Sequence, residues 1–77
     1  MAKKSKFEIA IVDRVRAIRM EKGFTQDDVA DILNVTRGFI GQIESPNTAS
    51  KYNLNHLNKL AGAMKCSPKD FMPEKAV

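Results

Sequence analysis

The sequence predicts an all-α fold, a compact assembly of five helices. Three observations carry that reading. Apolar residues recur at three- and four-residue spacing in separate stretches. Helix-starting residues (Thr25, Thr36, Ser67) precede several of those stretches, and Gly23, Asn34 and Pro46 stand at the joints between them. Strand signals are missing: there is no sustained period-two alternation and no Asn-Gly or Asp-Gly hairpin turn.

The first helix is expected from about Phe7 to Lys22, with Ile11, Val15 and Ile18 on one face and Gly23 as its stop. The second runs from Gln26 to Leu33. Thr25 caps it, Asp27 and Asp28 suit its positive end, and Asn34 closes it, because asparagine tolerates the left-handed conformation of a sharp turn. The third, Arg37 to about Glu44, is capped by Thr36 and turns Ile40 and Ile43 inward. Pro46 disfavours helix at Ser45, and a polar loop follows. The fourth, about Leu54 to Met64, carries the stripe Leu57, Leu60, Ala61 and Met64. The fifth is short, Pro68 to about Met72, with Ser67 as cap and Phe71 facing the core.

At 77 residues the chain is long enough for one domain. Residues 1–6 are expected to be a basic flexible arm containing Lys3, Lys4 and Lys6, residues 7–72 the folded domain, and residues 73–77 a frayed tail. Cys66 is the sole cysteine, which rules out an internal disulfide and suits a reducing compartment. The apolar run Ile9-Ala10-Ile11-Val12 is too short to span a membrane, and no signal-peptide pattern follows the basic start. A cytoplasmic location without membrane attachment is therefore expected. The net charge of +4 favours polyanionic partners.

The segment 26–45 is the informative one. Two short helices are joined by Asn34 to Thr36 alone, so their apolar faces must meet at a steep angle, and small Ala30 permits close approach. The outcome is a rigid corner with one helix projecting outward, of a size that fits the major groove of B-DNA.

Residues Arg14-Val15-Arg16, Ile18-Arg19, Gly23-Phe24-Thr25-Gln26, Val29-Ala30, Leu33, Val35-Thr36-Arg37, Ile40, Ile43-Glu44, Leu57, Leu60-Ala61 and Cys66-Ser67-Pro68 carry a resemblance. Over about Ile11 to Phe71 the chain resembles the Cro and phage-repressor type of helix-turn-helix regulators, also called the xenobiotic-response-element family. The resemblance implies a five-helix, lambda-repressor-like DNA-binding domain that regulates transcription as a repressor and is not an enzyme. It places Arg37, Gly38 and Gln42 at base edges, with Phe39 and Gly41 beside them. Arg37 has the fork to pair with guanine, Gln42 can read adenine or a neighbouring base, and Phe39 can meet a thymine methyl. Gln26, at the positive end of the second helix, is the expected phosphate contact, with Thr36, Ser45, Asn47, Ser50, Lys51 and Tyr52 along the DNA backbone. Arg19 and Glu44 match a family ion pair between the first helix and the end of the third.

Two departures stand out. Gly38 and Gly41 lie within the recognition helix, where each costs about 1 kcal/mol of helix propensity against alanine. The loop from Ser45 to Asn53 lacks the glycine usual after the third helix. Those glycines keep open a second reading, an antitoxin or adaptor that retains the fold and binds a partner protein. The favoured partners are double-stranded DNA and a second copy of the chain on it, with recognition helices one turn apart.

Other chemistry finds no support. Cys66 and His56 cannot complete a zinc site, and no converging set of catalytic groups is visible. Asp27, Asp28 and Asp31 are explained by the helix N-terminus rather than by a metal. Cys66 reads as core filling and Met72 as a candidate interface residue. No cofactor is expected.

Overall fold

The computed structural model describes residues 3–77 and orders them as α1 (Lys6–Glu21), α2 (Gln26–Leu33), α3 (Arg37–Glu44), α4 (Leu54–Met64) and a 3₁₀ turn (Pro68–Phe71). No strand occurs among the described residues. Each helix begins on a side-chain cap. The Ser5 hydroxyl accepts from the Glu8 amide at 3.1 Å while the Glu8 carboxylate accepts from the Ser5 amide at 2.8 Å. Thr25 and Asp28 repeat this exchange at 3.0 and 2.8 Å, and Thr36 accepts from the Phe39 amide at 3.1 Å. Asn53 accepts from the His56 amide at 2.7 Å, and His56 Nδ1 accepts from the Asn53 amide at 3.2 Å.

Three helices end alike. Gly23, Asn34 and Lys65 adopt positive φ, at 79°, 57° and 57°. The next amide in each case reaches back to a carbonyl of the last turn: Phe24 to Arg19 at 2.8 Å, Val35 to Ala30 at 3.0 Å and Cys66 to Ala61 at 2.9 Å. The left-handed residue thus satisfies a carbonyl that the helix leaves over and redirects the chain. At Asn34 that redirection makes the corner between α2 and α3.

Two expectations need correction. The fifth helix is a single 3₁₀ turn, closed by i to i+3 bonds from Asp70 to Ser67 (2.8 Å) and from Met72 to Lys69 (3.0 Å). Four residues make one turn, and Pro73 lacks the N–H that would carry it further. The start of the chain also differs. The Ser5 cap brings Lys6 into α1, and Lys4 is buried rather than part of a free basic arm.

Val15, Val29, Ile40, Ile43, Leu60, Met64 and Phe71 are fully enclosed, each worth about 1.5–3 kcal/mol of apolar burial. They lie where α2 packs on α3 and α4, and where α1 meets α3 and the 3₁₀ turn. Phe71 fastens that turn to α1 and α4, and α3 is supported from behind by α1 and α2. Lys65 is the one end residue among these three whose side chain is ill suited to its backbone. Replacing it with glycine should stabilise the fold by about 1 kcal/mol, read as a Tm several degrees higher in thermal unfolding.

Candidate nucleic-acid interface

Ile40 and Ile43 root α3 in the core, and the residues between them face out. Arg37, Gly38 and Gln42 are exposed, and Gly41 is half-exposed. Positions 37, 38, 41 and 42 fall at helical i, i+1, i+4 and i+5 spacing, so they form one continuous outer stripe. Phe39 sits at its edge, half-buried against the core. A Cβ built at Gly41 meets nothing within 4 Å among the described residues, and one at Gly38 meets only the Thr36 hydroxyl at 4.0 Å. Neither glycine has positive φ. Packing within the chain therefore gives no reason for either.

The geometry of α3 is set by its last residue. Glu44 receives a two-pronged pair from Arg19, Nε to Oε2 at 2.9 Å and Nη2 to Oε1 at 3.0 Å, while Arg19 Nη1 donates to the Phe24 carbonyl at 2.9 Å. The Arg19 and Glu44 side chains are 10% and 5% exposed, so this pair is screened very little by solvent. Gln26 Nε2 adds a bond to Glu44 Oε1 at 3.0 Å, and Arg16 approaches the same oxygen to 3.7 Å from the exposed side. One carboxylate thus joins α1, the first residue of α2 and the end of α3. Gln26 keeps its second amide N–H for another acceptor.

The loop after α3 is ordered by its own hydroxyls. Thr48 Oγ1 donates to the Gln42 carbonyl, Ser50 Oγ donates to Gln42 Oε1 at 3.3 Å, and Ser45 Oγ accepts from the Asn47 amide at 3.2 Å. Lys51 lies 2.6 Å from Glu8 at the start of α1. The hydrogen bond from Lys51 holds the Glu8 carboxyl below its ordinary pKa, aided by the Ser5 amide. Thr36, Asn47 and Lys51 are exposed, and Ser45 and Ser50 half-exposed, around the end of α3.

Tyr52 is a correction. It is 8% exposed and belongs to the core, with no hydrogen-bond partner for its hydroxyl among the described residues, so it cannot hold a phosphate. Burial, reinforced by the Glu44 charge, raises its pKa. Position in a polar loop suggested a surface residue. Tyr52 joins the buried cluster that contains Ile11 and Val12 of α1, residues distant from it in the chain. Burial likewise pushes the half-buried Cys66 thiol up, in keeping with a packing residue.

Sequence reasoning also missed Lys4, Thr48 and Arg16. Lys4 Nζ donates to the Ser45 carbonyl at 2.7 Å, the Thr48 carbonyl at 2.8 Å and Thr48 Oγ1 at 3.2 Å. Desolvation lowers its pKa, against the opposing pull of Glu8. No local signal marks a lysine whose partners lie more than forty positions away.

The profile of the helix-turn-helix family matches residues 15–71, most of the chain, and spans the whole corner with its supports. The chain belongs to that family. Its members of the Cro and phage-repressor type are DNA-binding transcriptional regulators, and the family is not one of enzymes. Among solved structures, the restriction-modification controller protein C.AhdI from Aeromonas hydrophila superposes with a TM-score of 0.69 at 25% identity, covering 83% of this chain and 94% of that one. A hypothetical transcription factor, NHTF from Neisseria, gives 0.72 over 95% of this chain and 84% of its own; at 16% identity it supports the fold alone. No curated protein sequence matches the chain. Among the described residues, no helix of this family member is long and apolar enough to cross a membrane, and no three metal-ligating side chains cluster.

Removing Glu44 leaves Arg19 buried without its partner. Glu44→Ala should lower the unfolding free energy by about 3 kcal/mol in urea titration, and an unchanged midpoint would refute the structural role of the pair. Tyr52→Phe removes a buried hydroxyl that has no hydrogen-bond partner among the described residues. It should leave Tm equal or higher, and DNA affinity unchanged.

Proposed function

We propose that the chain is a sequence-reading repressor that binds double-stranded DNA as a homodimer and lays α3 in the major groove. The outer stripe of α3 carries this reading: it is exposed, uncrowded, and braced from behind by the core and the Glu44 cluster. Arg37 is held only loosely, 3.7 Å from Asp27 with both side chains largely in solvent, so exchanging that pair for a guanine edge costs little. Gln42 has its oxygen toward Ser50 and can donate its amide N–H groups to a base acceptor. Gly38 and Gly41 let the duplex approach the helix backbone, and the exposed edge of Phe39 suits a thymine methyl.

Gln26, at the positive end of α2, can give its remaining N–H to a phosphate, and Thr36, Ser45, Asn47, Ser50 and Lys51 flank the groove. Two copies related by a two-fold axis would set their recognition helices in successive major grooves, roughly 34 Å apart. The description of C.AhdI as a restriction-modification controller protein agrees with a regulatory role.

Selection of bound duplexes from a random pool, at two salt concentrations, tests the proposal. A two-fold symmetric site should be enriched, and Arg37→Ala should lose about 1–3 kcal/mol of discrimination at one base pair of each half-site. Weak binding that falls with salt and ignores Arg37→Ala would overturn it in favour of a partner-protein role. A monomer on and off the selected site would remove the homodimer.

The glycines give a second test. Gly41→Ala and Gly62→Ala, the latter on α4 and also meeting nothing within 4 Å among the described residues, should each stabilise the fold by about 1 kcal/mol. Only Gly41→Ala should weaken DNA binding.

A further inference from the structure

Lys4 precedes the cap of α1, yet its side chain ends at the opposite end of α3. Its ammonium has three N–H groups, and three acceptors meet it: the carbonyls of Ser45 and Thr48 and the Thr48 hydroxyl, at 2.7, 2.8 and 3.2 Å. The residue is 7% exposed. Ser45 is the C-cap of α3, so the positive charge stands at the negative end of the recognition helix. Thr48 passes the connection on, because the hydroxyl that accepts from Lys4 donates to the carbonyl of Gln42, a residue of the outer stripe. The Lys51 to Glu8 pair ties the far side of the same loop to the first turn of α1.

We propose that Lys4 is a positioning residue for DNA binding: its ammonium holds the Ser45–Thr48 loop in the shape that presents Asn47, Ser50 and Gln42 to the duplex, without itself touching DNA. The inference rests on α3 and this loop being the DNA-facing surface. A lysine that neutralised a phosphate would have to leave all three acceptors, two of them carbonyls that it covers. The compact tetrahedral donor also sets this site apart from a charge contact. A planar guanidinium keeps the charge but cannot repeat the geometry.

The test compares wild type with Lys4→Arg, Lys4→Met and Thr48→Val on the selected duplex. Binding is measured well below each unfolding midpoint and over a range of salt. Thr48→Val removes the shared hydroxyl without altering charge, and serves if a Lys4 variant fails to fold. Lys4→Arg and Thr48→Val should each weaken specific binding by about tenfold. The slope of affinity against salt should stay at the wild-type value, and the Asn47 amide should exchange faster with solvent.

Wild-type affinity in both Lys4→Arg and Thr48→Val would overturn the inference alone. So would retained affinity in Lys4→Arg together with a slope reduced by about 0.9 in Lys4→Met, which marks a direct phosphate contact. If wild type enriches no site, the DNA-facing reading fails first, and this inference falls with it.

Discussion

The Arg19–Glu44 pair is the constraint on which the rest of the structure depends. An eight-residue helix is too short to persist alone, and α3 carries two glycines as well. Its two buried isoleucines hold it to the core by apolar packing, which has no directional preference of its own. The pair supplies what is missing. Arg19 projects from the last turn of α1, grips the final residue of α3 with two donors, and uses a third on the Phe24 carbonyl just before α2. Because both charges are largely withdrawn from water, the arrangement tolerates little slack. Each partner left alone would be an uncompensated ion in the interior.

That anchor also explains how the polar loop after α3 can be ordered without a glycine. The chain leaves α3 at Ser45 in an extended conformation, φ −80° and ψ 131°, which any residue adopts. Order comes from side chains instead. Thr48 and Ser50 fold back on Gln42, while Lys4 and Glu8 reach across from the start of α1. The loop is shaped by partners at distant positions, so its form depends on α1 and α3 being correctly placed first.

This division decides what the sequence could reveal. Features governed by neighbours in the chain were legible: Thr25 and Thr36 as caps, Asn34 as the left-handed corner, the inward stripes of α2, α3 and α4. The corner's outward residues, Arg37, Gly38 and Gln42, came from the resemblance to the family. Features governed by distant contacts were not. Tyr52 stands in a polar stretch and gives no local hint that it is buried, and Lys4 reads as one more charge in a basic start. The 3₁₀ turn has the cap and proline of a helix start, and differs only in being too short to continue. Arg19 and Glu44 are also distant partners. They were found through resemblance to the family, since spacing alone does not connect them.

The two glycines of α3 fill no space that the domain needs filled. The surface that faces outward and the framework that holds it are therefore separable. Side chains along positions 37, 38, 41 and 42 can be exchanged without disturbing Ile40, Ile43 or the Glu44 anchor. Over evolutionary time such an arrangement lets binding preference drift while the scaffold is conserved. The superposition of this chain on solved structures that share a quarter or less of its residues shows how much sequence change the scaffold itself tolerates.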